Sequence, residues 1–517
     1  MSAQGMTISD QVARHARKIG DHGAVSFGDE HRTYAELDER TGRLAAALRA
    51  RGVAAGDRVA ILALNGIEYV ETLLAVARLG AVSVPLNFRF VSGEAAYVLS
   101  DSGARALIVG APLTDLAQAA RAQADVPVCL VFGQDAPEGA ESYEDALASV
   151  DPIEGPDVPD TDAAMIMYTS GTTGSPKGAV LTHRNLLMHG FSYVAEFAFA
   201  ADDRTFLSGS PLFHIAGVAS MLTYLLVGGR TVLTPSGQFD AGDTVRLMAR
   251  ERVSATFFVP AQWQQICSLP DLADHDLSAL RRIAWGAAPA STALIRQMID
   301  CFPQAEVTTV FGQTECSPVT TTLRSEDALR KIGSVGTAML NVELRVVDDA
   351  MVDVPVGEVG EVVYRGPMVM REYWNKPAET REAFRGGWFH SGDLVRADDD
   401  GYLWVVDRKK DMIISGGENI YCAEVENVLG GHPQVFEIAL IGVPHERWGE
   451  TPLAVVVPRD PAAPPTLDDL TEWSRDRLAA YKRPRLLEVV DALPRNPGGK
   501  VVKGELRTRY GGVTIGA

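Results

Sequence analysis

Cysteine is scarce and scattered in this chain. Its five cysteines, Cys129, Cys267, Cys301, Cys316 and Cys422, form no C-x-x-C pair and no spaced framework, so neither a disulfide scaffold nor a zinc site is expected. Basic residues are also in deficit. Against 67 Asp+Glu stand 48 Lys+Arg, a net charge of −19, which argues against nucleic acid or an anionic membrane as the main partner. An anionic ligand would need a locally cationic pocket. No stretch reaches the ~18 uninterrupted apolar residues of a spanning helix, and the opening MSAQGMTISDQVARHARKIG has no apolar signal core. With reduced thiols, these absences point to a cytoplasmic protein without a transmembrane segment; peripheral membrane contact and a homodimer stay open. Two nucleotide fingerprints are missing as well: no G-x-x-x-x-G-K-[ST] loop occurs, and no GxGxxG follows a strand.

What is present begins with length. A chain of 517 residues exceeds what one hydrophobic core usually serves, so at least two domains are expected. From Gly56, DRVAILALNG, IEYVETLLAVARLG and AVSVPLN read as strand, helix and strand. The same texture recurs in EAAYVLSDSGARALIVG and around VSATFFVP and RRIAWGAAP, which predicts parallel sheets covered by helices, an α/β fold. Residues 135–162, rich in Asp, Glu, Pro, Gly and Ala, read as an exposed connection. After about Tyr364 the chain turns to Gly-punctuated strand-like pieces. A compact α+β ending of roughly a hundred residues follows, with LDDLTEWSRDRLAAY as one amphipathic helix. The expected division is 1–409 and 410–517.

The most informative segment is an apolar strand-like run, Ala163 to Tyr168, opening into Thr169, Ser170, Gly171, Thr172, Thr173, Gly174, Ser175, Pro176, Lys177 and Gly178. Glycines let backbone N–H groups approach a polyphosphate, hydroxyls donate further hydrogen bonds and the lysine supplies charge. By composition alone it could equally be a plain turn. As a string, YTSGTTGSPKGAV resembles the phosphate loop of the adenylate-forming superfamily: acyl-CoA synthetases, adenylation domains of peptide synthetases and firefly luciferase. Further motifs follow in that family's order over nearly the whole chain: Gly286-Ala287-Ala288-Pro289, Phe311-Gly312-Gln313-Thr314-Glu315, Ser391-Gly392-Asp393, Asp407-Arg408 through Glu424, and Gly499-Lys500. Fatty-acid-type AMP-forming acyl-CoA ligases are the nearest match.

The resemblance implies a large N-terminal acid- and ATP-binding domain with a β-barrel-like subdomain, and a small mobile C-terminal domain. It implies ATP, Mg²⁺ and coenzyme A as ligands. Gly286, Ala287 and Ala288 would wall the adenine, with the Phe311 ring and Gly312 beside it; Thr314 would touch phosphate and Glu315 hold Mg²⁺, a cation that prefers oxygen ligands. Asp393 would accept hydrogen bonds from both ribose hydroxyls, assisted by Arg408. Taken alone, SGD is a common turn and DRKKD a common charged surface run. Lys500 would bridge the acid carboxylate and the α-phosphate, easing repulsion between two anions. Lys410 would be the hinge, and Ser415, Gly416, Gly417 and Glu418 would line the coenzyme A tunnel.

The acid pocket should draw on PLFHIAGVAS, Trp263, the GAAP loop and the residues after Glu315, which are largely apolar or small. His214 matches an aromatic position beside the substrate carboxylate; a packed histidine is the alternative. No charged residue is obviously placed to read a distal polar group, so a hydrophobic acid is expected, medium- or long-chain fatty or aromatic/alicyclic. Three rivals remain: a ligase loading a carrier-protein thiol, a luciferase-like oxidative enzyme, and a non-catalytic nucleotide-binding protein.

Overall fold

A computed structural model describes residues 6–169, 176–200, 204–288, 290–416, 418–495 and 501–511. The chain divides into two compact units, Met1–Leu344 with Tyr364–Phe389, and Arg345–Val363 with His390–Ala517. The larger unit holds two sheets. In the first, of eight strands, the run read from Gly56 is strand Arg58–Leu62, helix Ile67–Arg78 and strand Val82–Pro85, the two strands parallel. Every residue of that helix except Glu68 is buried, as expected of a helix packed on more than one side. Ala104–Gly110 and Val128–Phe132 continue the parallel set, and Ala163–Thr169, Lys177–Thr182 and Glu372–Tyr373 close it on the other side.

The second sheet has nine strands, of which Gly23–Phe27, Arg230–Leu233, Thr205–Ser208, Ala255–Phe258, Arg282–Gly286 and Glu306–Gly312 form an unbroken parallel series. Parallel strands require a crossover that returns each chain end to the opposite edge. Their C-terminal ends therefore lie along one edge, and so do the loops that leave them.

The connection 135–162 is a correction to the sequence reading. It contains a helix, Tyr143–Ala148, whose Tyr143, Ala146 and Leu147 are buried. Tyr143 donates its hydroxyl to Glu71 Oε2 at 2.8 Å, and Glu71, fully buried, also takes Arg40 Nε at 2.6 Å. A buried carboxylate needs such partners, and the ones it has lie 72 and 31 residues away in the chain. The charged composition of the connection masks the short apolar face.

In the smaller unit the Gly-punctuated pieces form a four-stranded sheet, Glu343–Val347, Val359–Arg365, Phe389–Ala397 and Leu403–Arg408. Beyond it, Val435–His445 and Gly449–Pro458 pair as a long hairpin within a five-stranded sheet. Its alternation sends Ala439, Ile441 and Val443 to the side of helix Lys503–Tyr510, and Leu440 to the side of helix Cys422–Gly430. The amphipathic helix read over LDDLTEWSRDRLAAY is shorter than expected, ending at Ser474. There the guanidinium of Arg483 donates to the carbonyls of Arg475 and Leu478, satisfying acceptors that a longer helix would have used. All five cysteines are free thiols. Among the described residues no helix is long and apolar enough to cross a membrane.

The interior of the larger unit contains two imidazoles, His183 and His189, whose ring nitrogens have no hydrogen-bond partner among the described residues. Burial pushes the first down to about 4, against the opposing pull of Asp10 and Asp160, and the second to about 3. Between these values and the ordinary 6.5 the unfolded chain binds protons that the folded chain refuses, so stability falls as pH falls. Each histidine contributes about 1.4 kcal/mol per pH unit across that window. The melting temperature should drop measurably from pH 6.5 to 5, with a shallower slope in His189→Leu; a flat profile, or an unchanged slope in the variant, would contradict this account.

Candidate active site

The segment read as a phosphate loop is flanked by two paired strands. Ala163–Thr169 runs antiparallel to Lys177–Thr182, with Thr169 opposite Lys177. Ser170, Gly171, Thr172, Thr173 and Gly174 lie outside the described residues. The strand pair is tied down by polar side chains: Tyr168 donates to Asp101 Oδ2 at 2.6 Å and Tyr97 to Pro176 O at 3.1 Å. Trp374 N donates to Gly178 O at 2.7 Å, and its ring nitrogen donates to Asp101 O at 3.0 Å. The ammonium of Lys177 sits 5.5 Å from the centroid of the Tyr373 ring, within cation–π range.

The second sheet delivers the remaining candidates of this unit along its C-terminal edge. Parallel pairing places Gly286 opposite Val310 and Phe258 opposite Trp285, so the GAAP and FGQTE loops leave as neighbours. Gly286 has to be glycine, because a Cβ there would stand 2.2 Å from Val310 O. Ala287 takes a left-handed conformation at φ +64°, a strained state for a residue with a Cβ, and both Ala287 and Ala288 are exposed. Pro289 lies outside the described residues. Phe311, Gly312 and Thr314 are half-buried. Thr314–Cys316 forms a single 3₁₀ turn, and Glu315, 8% exposed, has its main-chain oxygen bonded by Met370 N at 2.7 Å.

One oxygen of the Glu315 carboxylate, Oε1, accepts the hydroxyl of Tyr373 at 2.8 Å. Burial and then the nearby Glu315 charge push the Tyr373 phenol well above its ordinary value, so it stays a neutral donor. Tyr373 thus links Lys177 to Glu315, two residues that the sequence reading named separately. The reading missed Tyr373 because 58 residues separate it from Glu315.

At the same edge, His214 is an exposed residue that caps helix Ile215–Leu226 by position, its ring 4.2 Å from that of Phe213. Asn65 holds the segment before it, accepting from Leu212 N at 2.9 Å and donating to Thr234 O at 3.1 Å. Trp263 is wholly buried and donates its ring N–H to Ala284 O at 3.0 Å. It therefore acts from behind, bracing the strand that ends at Gly286, where the sequence reading had counted it among pocket-lining residues.

In the smaller unit, Asp393 and Arg408 are cross-strand partners. Arg408 Nε reaches Asp393 Oδ1 at 2.6 Å, with the carboxylate 3% exposed and the guanidinium 42% exposed. Asp393 N donates to Ser391 Oγ at 3.0 Å, and Ser391 Oγ donates to Val362 O at 2.5 Å. Beside this pair lies a group the sequence reading did not name. Buried Glu361 accepts from His390 Nδ1, Gly392 N and Lys409 Nζ at 3.0, 3.0 and 3.1 Å. Burial would raise its pKa, but the hydrogen bonds from His390 and Lys409 outweigh it and hold the carboxyl below its usual range.

Lys410 is exposed in the turn after Leu403–Arg408, where Asp411 N and Met412 N both return to Arg408 O. Ser415 pairs with Glu418 in an antiparallel ladder. Gly416 has φ +61°, and a Cβ on it would meet the Trp448 ring at 2.6 Å, so both conformation and space demand glycine. Gly417 and Lys500 lie outside the described residues. Lys503, close by in the chain, is paired with Glu426 at 2.7 Å and is a structural cation.

Glu315 and Thr314 offer hard oxygen donors, and no group of three or more His, Cys, Asp or Glu that could hold a metal exists among the described residues. That donor set suits Mg²⁺, which usually takes one or two carboxylates and completes its shell with water and phosphate oxygens.

The AMP-binding enzyme profile matches residues 12–374, and the AMP-binding enzyme C-terminal domain profile matches residues 424–500. A feruloyl-CoA synthase of Amycolatopsis sp is 43% identical over 503 residues, 96% of this chain and 98% of the relative. The long-chain-fatty-acid–CoA ligase FadD13 of Mycobacterium tuberculosis is 40% identical over 483 residues, 93% of this chain and 94% of the relative. Among solved structures, the o-succinylbenzoate CoA synthetase of Bacillus subtilis bound to its acyl-adenylate intermediate superposes with a TM-score of 0.86 at 29% identity over 98% of both chains. The same enzyme with ATP and a magnesium ion gives 0.84 at 29% identity over 96% of this chain and 99% of that one. With both profiles and nearly its full length matched, the chain belongs to the AMP-binding enzyme family and is an AMP-forming acid–thiol ligase, a class that works with ATP, Mg²⁺ and coenzyme A.

Proposed function

We propose that this chain joins a hydrophobic carboxylic acid, fatty or aromatic/alicyclic, to coenzyme A in two steps. In the first, a carboxylate oxygen attacks the α-phosphorus of ATP; an acyl–phosphate bond forms, the bond to the β-phosphate breaks and pyrophosphate leaves. In the second, the coenzyme A thiol, giving up its proton, attacks the acyl carbon and AMP leaves. The observation that carries this reading is the common edge of the nine-stranded sheet. There the FGQTE turn with its buried carboxylate leaves the same edge as the loops of Gly286–Ala288 and Pro211–His214. Pro211–Ser220 carries no Asp, Glu, Lys or Arg, and the helix that follows His214 is built from apolar and small residues, which favours an uncharged acyl chain. Feruloyl and long-chain fatty acyl groups in the names of relatives fall in the same hydrophobic range.

In this reading residues 169–178 take the β- and γ-phosphates, with Thr169 and Lys177 at the ends of the turn, and Thr314 and Glu315 act at the α-phosphate. When bound, Mg²⁺ supplies positive charge against the oxygens of the nucleotide. Asp393, oriented by Arg408 and Ser391, takes the ribose. Residues 410–517 form a mobile domain that turns about Lys410 between the half-reactions. A hinge needs tolerant backbone angles, and the exposed position of Lys410 supports this reading. The segment of Ser415, Gly416, Gly417 and Glu418 then serves the thiol step.

Lys500→Ala should lower acyl-AMP formation by about two to three orders of magnitude, the usual cost of removing one charge-stabilising donor. It should leave thioester formation from supplied acyl-AMP close to wild type. Separate pyrophosphate-release and thioester assays check this, and equal loss in both would count against the assignment. A panel of carboxylic acids with ATP, Mg²⁺ and coenzyme A, followed by mass detection of AMP and acyl-CoA, tests the function itself. Turnover should be greatest with hydrophobic acids. Acylation of a carrier protein with none of coenzyme A would replace the acceptor assignment, and preference for short dicarboxylic acids would overturn the substrate class.

A further inference from the structure

Residues 370–374 form a strap bonded to two elements of the phosphate side. Met370 N donates to Glu315 O at 2.7 Å, Arg371 N to Val180 O at 2.9 Å and Trp374 N to Gly178 O at 2.7 Å. Glu372 and Tyr373 pair antiparallel with Val180 and Ala179. The strap therefore holds the turn bearing Glu315 and the strand bearing Lys177 in one frame. Tyr373 stands in its middle, its own backbone pinned where its N donates to Thr380 Oγ1 at 3.0 Å. Its hydroxyl reaches Glu315 Oε1 at 2.8 Å, and its ring lies 5.5 Å from the ammonium of Lys177.

We propose that Tyr373 is a positioning residue for the metal-bound nucleotide: its hydroxyl sets the plane of the Glu315 carboxylate while its ring steers the Lys177 ammonium toward the same polyphosphate. The proposal rests on the reading of Glu315 as the Mg²⁺ ligand. A glutamate carboxylate on a free side chain rotates about its last bond, and each rotation moves the lone pairs that a cation would meet. A hydrogen bond to one oxygen stops that rotation and leaves the other oxygen with a fixed direction. Partners of this kind, which orient a ligand without touching the metal, are typically worth 10- to 100-fold in metal affinity. The ring supplies a second constraint, because a cation over an aromatic face is held by its quadrupole without losing its outward hydrogen-bond donors.

The test is Mn²⁺ binding to the full-length chain, followed by electron paramagnetic resonance in the presence of the unreactive analogue α,β-methylene-ATP, so that no turnover is needed. Tyr373→Phe keeps the ring and every backbone bond of the strap and removes the hydroxyl alone. It should weaken Mn²⁺ binding about 10-fold, with a melting temperature near that of wild type. Glu315→Gln should weaken it at least as much, and the double variant no further than Glu315→Gln. Tyr373→Leu should in addition weaken the analogue beyond Tyr373→Phe at the same Mn²⁺ concentration. If Glu315→Gln loses metal affinity while Tyr373→Phe keeps it, the positioning role fails and the reading of Glu315 stands. If Glu315→Gln keeps it, the reading of Glu315 fails and the proposal with it. Equal analogue affinity in the Leu and Phe variants removes the role of the ring.

Discussion

Parallel strand pairing is the constraint on which the larger unit depends. Once Thr205–Ser208, Ala255–Phe258, Arg282–Gly286 and Glu306–Gly312 pair in the same direction, their C-terminal ends must share an edge, and four loops distant in sequence become neighbours. Nothing in the loops has to encode that meeting. The backbone ladder does it, and helices returning across the sheet faces supply the burial that keeps the ladder dry. A ligand crevice at the carboxyl ends of strands is the usual outcome of such a sheet.

Onto this edge the chain adds a smaller set of long-range polar bonds that hold individual side chains. Tyr373 fastens Glu315, Asn65 fastens the loop before His214, and Trp263 braces the strand below Gly286. Each donor or acceptor is buried or half-buried, where an unmet polar group is expensive. These bonds therefore fix direction as well as adding stability. The smaller unit repeats the device: Asp393 is held by Arg408 and by the Ser391 hydroxyl, and Glu361 gathers His390, Gly392 and Lys409 beside them.

Much of this was readable from residue order. The β-α-β unit at Arg58–Pro85 appears where its alternating apolar segments put it, and Gly286 and Gly416 sit where backbone and ring atoms leave no space for a Cβ. Residue order could not reveal a local exception to average composition. The helix Tyr143–Ala148 hides in an acidic, proline-rich stretch because only three of its residues face the core. Lys503 reads as one more surface lysine until Glu426, 77 positions earlier, is seen to neutralise it at 2.7 Å.

By itself, the sequence determined the class of chemistry. YTSGTTGSPKGAV, FGQTE, SGD and the Lys500 segment occur in the order of the adenylate-forming superfamily, and that order carries the resemblance although each string alone could be an ordinary turn or surface run. Tertiary structure alone decided which of these groups act together. Tyr373 between Lys177 and Glu315, Arg408 against Asp393 and Trp263 behind the strand that ends at Gly286 are all contacts between residues not adjacent in sequence. Such contacts come into being only when strand register and core packing bring the partners within hydrogen-bond reach. Their energies depend on burial, which no residue carries in its own identity.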